Sequence, residues 1–402
     1  MTYKLSKLSI VLFGVLVSGA AVAADMQDQS GGKQNSAAGT INAGGFEVKP
    51  TLGLMLGRND NVGMASTVKT AATFTKLTPK IVVEMPTHGQ VYSGTYSGAY
   101  ANYSGSAQDN FTDHNFGLAA KNDWSARFNS LVNVDYNKGH DGRNALPTVN
   151  TFKELWHTTG LKGKVHYGAD NAQGQFELTA GQVNKRYDSN NSTRTQLMNT
   201  DTTNVTGEFF YKIAPATNMI FHAGNQNISY LDAAAQSRDS TERQFMLGVK
   251  WEATAKTTGS IKVGTVKKSF ALATTPSASN SVWDAQVTWS PLTYSNVNFT
   301  LKQSAAESFG TGSYMVSNDT KIDWSHEWTS QVKSKLSVGD GQDKYQAVAQ
   351  VNKRQTYGAG LTYSVNRWLN AGADYQFSKR NSTNTALTYK QNILMFVLDG
   401  TL

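Results

Sequence analysis

The chain has 402 residues, of which 39% are hydrophobic and 16% charged, with a formal net charge of +8; Gly (35), Ser, Thr and Asn make up the rest. A helical transporter needs runs of about 20 apolar residues, which are missing, and 17 Tyr, 17 Phe and 8 Trp against only 7 Pro exclude a disordered chain. The absence of cysteine excludes a disulfide scaffold, a thiolate metal site and a lipid-modified N-terminal Cys.

At the N-terminus, Lys4 and Lys7 precede an apolar run from Leu8 to Val17, followed by small residues ending in Ala21-Val22-Ala23. This order of charged, apolar and small residues predicts a secretory signal peptide over 1–23. Ser18, Gly19 and the alanines after them leave the run too short for an anchoring helix. Cleavage before Ala24 removes two lysines and takes the net charge from +8 to +6. Residues 24–44 are polar and rich in Gly, Ser, Gln and Asn, and read as a flexible periplasmic tail.

From 45 to 402 the pattern is one of strands. Between Arg243 and Glu252, Phe245, Leu247, Val249 and Trp251 share one face, while Gln244, Met246, Gly248, Lys250 and Glu252 share the other. That period of two marks a strand with two different environments. Trp283, Ala285, Val287 and Trp289 oppose Asp284, Gln286 and Thr288 in the same way, and Leu369 to Phe377 repeats it. About eighteen such segments follow one another, with sixteen to twenty as the limits; they include 46–57, 125–137, 174–187, 331–339 and a last one at 387–402.

The links between segments alternate in length. Pro86–His88, Asn122–Trp124, Ala214–Thr217, Pro291–Thr293 and Val365–Arg367 are short; Arg58–Lys69, Lys138–Phe152, Asp188–Asn199, Asp232–Ser240 and Asp340–Asn352 are long. A transmembrane β-barrel has this alternation, with tight periplasmic turns and larger extracellular loops, whereas a soluble sandwich has no reason to sort its loops by length. An even strand count puts both termini on the periplasmic side. Trp124, Trp251, Trp289, Trp328 and Trp368 fall at or beside the short links, as a periplasmic aromatic belt would. The final segment alternates Leu394, Phe396, Leu398, Gly400 and Leu402 up to the carboxyl end, where bacterial barrels usually carry an aromatic residue. It must pair with the first strand, because an open edge in lipid leaves backbone groups unsatisfied. The fold class expected is therefore all-β, a single antiparallel transmembrane barrel over 45–402 in the outer membrane.

A Lys or Arg facing lipid at mid-bilayer costs roughly 2–4 kcal/mol, so mid-strand charges are expected to point into the lumen. These are Arg127, Lys162, Lys164, Lys212, Lys250, Lys262, Lys302, Lys333 and Lys335, joined by Asp135, Glu177, Glu208, Glu252, Asp284, Asp323 and Asp374. In the adjacent pair Lys267-Lys268, one member must point outward near an interface. The lumen so drawn is polar, mixed in sign and somewhat basic. Catalytic signatures are missing: there is no G-x-S-x-G elbow, no H-E-x-x-H and no phosphate loop, and His326-Glu327 has no second histidine four residues on. Asp340-Gly-Gln-Asp343 offers oxygen ligands for a cation in an outer loop but falls short of an EF-hand pattern. No enzyme activity, cofactor or metal is expected.

Several longer phrases carry a resemblance. Ser240 to Gly259, Trp283 to Tyr294, Asn366 to Tyr375, Arg380-Asn-Ser382 with Tyr389 and Asn392, and Arg58-Asn-Asp-Asn-Val62 resemble the β-barrel porins encoded in exopolysaccharide gene clusters (VpsM/EpsL-like). The likeness runs from about Gly44 to Leu402 and departs at Asn381, where an acid is expected. The resemblance implies an outer-membrane barrel that carries nascent exopolysaccharide outward, together with a periplasmic polysaccharide-export protein. Its other partners would be outer-membrane lipid, lipopolysaccharide and the barrel-assembly machinery, with no nucleic acid. A general or solute-selective diffusion porin, an adhesin-like surface protein and an outer-membrane enzyme are the competing readings.

Overall fold

The computed structural model describes residues 39–145, 152–188, 193–254, 256–308 and 311–401. The signal peptide, residues 24–38 of the expected tail, and Leu402 lie outside the described residues. In chain order the strands are β1 (Ile41–Ala43), β2 (Phe46–Asn59), β3 (Ala72–Thr87), β4 (Gln90–Ser104), β5 (Phe111–Ser125), β6 (Phe128–Asp141), β7 (Glu154–Tyr167), β8 (Gly174–Tyr187) and β9 (Thr200–Ala214). Then come β10 (Thr217–Tyr230), β11 (Ser240–Thr254), β12 (Thr257–Phe270), β13 (Ala278–Leu292), β14 (Ser295–Ala306), β15 (Met315–Glu327), β16 (Val332–Tyr345), β17 (Val351–Ser364), β18 (Leu369–Ser382) and β19 (Tyr389–Thr401).

Every strand from β2 to β19 pairs antiparallel with its sequence neighbour, and β19 pairs back onto β2 from Ile393↔Asn59 to Thr401↔Thr51. The result is a closed barrel of eighteen strands, with the short β1 added to the end of β2. Closure satisfies every strand edge, as a lipid environment demands. The barrel strands run from 12 residues in β14 to 16 in β3, above the roughly 9–11 a tilted strand needs to cross a bilayer. The links do alternate in length: 88–89, 126–127, 215–216 and 293–294 are tight turns, while 60–71, 142–153, 188–199 and 231–239 are long.

The outward face is apolar. Leu118 (64%), Phe245 (63%), Phe396 (63%) and Val263 (57%) are among the most exposed side chains of their strands, an arrangement that only lipid makes favourable. The residues alternating with them, such as Met246, Lys262, Val282 and Val397, are buried within the barrel.

Three expectations are corrected. Ile41–Ala43, read as tail, forms β1 because Gly44 and Gly45 both take positive φ (57° and 90°) and close a tight hairpin onto Phe46–Val48. Asp340–Asn352, read as a long loop from its Gly and Asp content, is mostly strand: β16 continues to Tyr345, leaving 346–350 as the link. Asp340 and Asp343 therefore point to opposite faces, and Asp343 is engaged by Arg354 at 2.9 Å, so they do not converge on a cation. Arg127, placed mid-strand by the 125–137 span, lies in the turn between β5 and β6, because β5 extends to Ser125 and β6 starts at Phe128.

Candidate functional site: the barrel interior

Parity along the strands sets the inner wall. Lys162, Lys164, Lys212, Lys250, Lys262, Lys302, Lys333, Lys335, Asp135, Glu177, Glu208, Glu252, Asp284, Asp323 and Asp374 each alternate with an exposed apolar residue of the same strand, and so share the inward face. Arg127 does not join them; it is exposed in its turn.

These inner charges mostly meet an opposite one. Lys164 reaches Glu177 at 2.6 Å, with His166 at 4.0 Å from the same carboxylate. Lys333 meets Glu327 at 2.7 Å, Lys321 meets Asp323 at 3.1 Å, and Lys250 meets Glu252 at 3.7 Å near the short-turn end. Lys335 stands in register with Gly360, and Gly360 with Asp374.

The longest array crosses half the circumference. Glu208 on β9 accepts from His222 on β10 at 2.9 Å and from Lys262 on β12 at 3.0 Å. Lys262 stands opposite Asp284 on β13, Asp284 opposite Lys302 on β14, and Lys302 opposite Asp319 on β15. Asp319 then meets Arg354 on β17 at 2.8 Å. Charges of alternating sign thus follow the wall from β9 to β17, a ladder in which each cross-strand neighbour is favourable. Gly248 makes its first step: a Cβ there would sit 2.7 Å from Lys262 Cγ and 2.3 Å from Ile261 O, so only glycine lets Lys262 pass over β11 to Glu208.

The long-loop end of the interior is more densely filled. Lys268 is fully buried between Glu242 and Glu307, at 2.7 Å from each, and Tyr230 donates to Glu307. Arg354 grips Asp343 through Nε (3.0 Å) and a terminal nitrogen (2.9 Å), and Ser317 donates to Asp343 at 2.8 Å. Asp141 accepts from Tyr187 Oη at 2.9 Å and from Trp156 Nε1 at 3.2 Å.

Two contacts run across the barrel rather than along its wall. Tyr187 of β8 and Met198 of the β8–β9 link pack in one apolar cluster with Met315 of β15 and Tyr345 of β16, although β8 and β15 stand seven places apart in the sheet. Arg380 of β18 donates to the carbonyls of Asn144 (2.6 Å) and Ala145 (3.2 Å) in the link after β6, six places away, and to Leu387 O at 2.7 Å. Asn144 donates in turn to Gly63 O in the β2–β3 link at 2.9 Å. The short-turn half of the barrel interior therefore leads to a mouth bridged by inward-folded links.

Sequence reasoning did not count Glu242, Glu307, Asp319, Arg354 and Arg380 among the lining charges, left Lys268 undecided against Lys267, and read Asp343 as a loop ligand. All but Glu307, which lies in the β14–β15 link, have inner parity, and the signal was there: Lys268 and Lys262 are six apart on one strand, and Glu242 and Lys250 eight apart. Of these, Asp343 fell in a segment read as loop; Glu242, Lys268, Asp319, Arg354 and Arg380 lie in segments read as strands but were not counted among the mid-strand charges. The five tryptophans of the expected belt all lie at the short-turn end, with Trp124 (61%), Trp328 (60%) and Trp368 (51%) most exposed. Trp324 and His326 extend that surface, packing against Trp328 at 6.4 and 4.3 Å. Among the described residues no group of three or more His, Asp or Glu side chains is arranged to hold a metal ion.

No curated protein matches the sequence. Among solved structures, the chain is similar to a BenF-like porin of Pseudomonas fluorescens (10% identity, TM-score 0.49, covering 89% of this chain and 99% of that one). It is also similar to OccK2 (OpdF) of Pseudomonas aeruginosa in complex with glucuronate (11% identity, TM-score 0.48, 89% and 98%). The FrpB iron transporter of Neisseria meningitidis is similar over 83% of this chain (11% identity, TM-score 0.47), which spans only 62% of the transporter. At the level of families, "Putative beta-barrel porin 2" matches residues 36–400, nearly the whole barrel and its N-terminal approach. The chain belongs to that family and is an outer-membrane β-barrel porin.

Proposed function

We propose that this porin exports exopolysaccharide across the outer membrane, acting with a periplasmic polysaccharide-export protein. The observation that carries the reading is the inner wall. An eighteen-stranded barrel encloses an aqueous lumen, and its wall from β9 to β17 offers charges of alternating sign. A hydrated glycan exchanges hydrogen bonds with such a surface without being trapped by one strong charge of either sign. The charged candidates of the inner wall line the pathway, and no bond is made or broken there. Directionality comes from synthesis and from the export partner.

In this reading the short turns and both termini are periplasmic, the tryptophans at the short-turn end sit at headgroup level, and the long loops face the exterior with lipopolysaccharide around them. The bridged long-loop mouth suits a channel that opens for cargo, whereas a solute-diffusion porin stands open without a partner. Deleting the gene tests the reading: polysaccharide should accumulate in the periplasm and return to the medium on complementation. A deletion strain secreting a normal amount of matrix polysaccharide would overturn it.

A further inference from the structure

The outward face of the barrel is charged at one end only. On the short-turn halves of the strands no Lys or Arg points outward. On the long-loop halves, Lys344, Lys353, Lys379 and Lys390 lie on the consecutive strands β16 to β19, and Arg243 and Lys267 lie on β11 and β12. All six alternate with outward apolar residues; Lys379 is half-buried and the others are exposed.

Their pairing is unusual. Lys379 stands directly opposite Lys390, and Arg243 directly opposite Lys267. Like charges in directly opposed cross-strand positions destabilise a sheet. The inner wall of the same barrel shows that this sequence places acids beside its cations, with Lys262, Lys268 and Arg354 each salt-bridged. Outside, the acids flanking the first group are Asp340, which shares a polar groove with Gln342, Lys353 and Gln355, and Asp60, which accepts from Asn392 Nδ2 at 2.6 Å. Arg186, also outward on β8, has Asp201 at 2.6 Å. Among the described residues none of the six cations has an ion-pair partner.

The depth of the six is also regular. Along β19 the outward series is Leu398, Phe396, Leu394, Asn392, Lys390; along β18 it is Tyr375, Phe377, Lys379; along β11 it is Leu247, Phe245, Arg243. Each passes from apolar residues to a cation within two to four residues, or roughly 7–13 Å along a strand rising about 3.3 Å per residue. That is the step from acyl chains to charged headgroups. Clustered Lys and Arg at this depth recognise anionic lipid.

We propose that Lys379–Lys390, with Lys353 and Lys344 beside them, and Arg243–Lys267 bind the phosphate groups of lipopolysaccharide in the outer leaflet. The proposal rests on the reading that the long-loop end faces the cell exterior. The anion relieves the repulsion within each pair, so the bare protein carries strain that the glycolipid removes.

The test uses the full-length porin in detergent, with binding of purified lipopolysaccharide measured directly. Lys379→Gln/Lys390→Gln and Arg243→Gln/Lys267→Gln should each weaken binding about thirty-fold, following from about five-fold per cation. Lys379→Arg/Lys390→Arg should retain it, and Arg367→Gln, a turn cation at the other end, should leave it unchanged. In detergent free of lipopolysaccharide the Gln double variants should unfold later than the wild type, and with lipopolysaccharide earlier. Binding that is indifferent to the double variants, equal loss with Arg367→Gln, binding retained by dephosphorylated lipopolysaccharide, or complete displacement by inorganic phosphate at the same concentration would each overturn the proposal. An epitope inserted at Val68 and probed on intact cells separates the two claims. A buried epitope with intact binding refutes the orientation alone, and a surface epitope with unaltered binding refutes the lipopolysaccharide site alone.

Discussion

Arg380→Ala removes the tie between β18 and the link after β6. The guanidinium holds three carbonyls at 2.6–3.2 Å, two of which, Asn144 O and Ala145 O, lie across the mouth. A hydrogen bond to a charged group is worth about 1.5–3 kcal/mol net, so the two crossing bonds hold the link with about 3–6 kcal/mol. At 1.4 kcal/mol per tenfold, even the lower figure shifts the bridged-to-open ratio by roughly 150-fold. The assay is single-channel recording in planar bilayers. The wild type should be closed most of the time, and the variant should raise time-averaged conductance by one to two orders of magnitude. Heat-modifiable gel migration establishes that the variant is folded, because Leu387 O and the Tyr389 ring also contact Arg380. A folded Arg380→Ala barrel with wild-type conductance would refute the view that these links close the mouth.

Other outcomes follow from the same geometry. Lys268→Met leaves the half-buried Glu242 and Glu307 without their cation and should cost up to about 3–5 kcal/mol in urea unfolding, with partial recovery on adding Glu307→Gln. Gly248→Ala forces a Cβ toward Ile261 O and Lys262; it should destabilise the barrel by about 1–3 kcal/mol and weaken the Lys262–Glu208 contact. Phe396→Lys on the outward face should cost roughly 2–4 kcal/mol at mid-bilayer, whereas Met395→Lys, one residue away and inward, should cost far less. Lys302→Glu places three acids in a row with Asp284 and Asp319, and reversal-potential measurements should shift toward cation selectivity.

The strands were legible because lipid and lumen impose period two on each of them. The 174–187 segment was bounded to the residue, since Gly174 and the Asp188-Ser189 link flank a clean alternation. Asp340 to Tyr345 was misread for a physical reason: its outward positions at that height are Asp340, Gln342 and Lys344, so the apolar signal vanishes where a strand leaves the hydrocarbon. The mid-strand charges, Arg127 apart, share the parity opposite to the exposed apolar residues of their strands, the side on which a charge avoids the cost of lipid. The bridged mouth was not legible, because the contacts of Arg380 with Asn144 O, and of Met198 with Tyr345, join residues far apart in sequence through backbone carbonyls and shape. No local pattern encodes them.

The central claim, that polysaccharide passes through this lumen, is most directly tested with a single thiol, since the chain has no native cysteine. Thr356→Cys puts one on the inner wall mid-way along β17, and Val68→Cys puts one on an exposed link. Both are labelled to completion with a bulky maleimide in cells whose only copy is the variant, and secreted polysaccharide is measured. Labelling at 356 should abolish secretion while labelling at 68 leaves it intact; undiminished secretion through a fully labelled Thr356→Cys barrel would contradict the account.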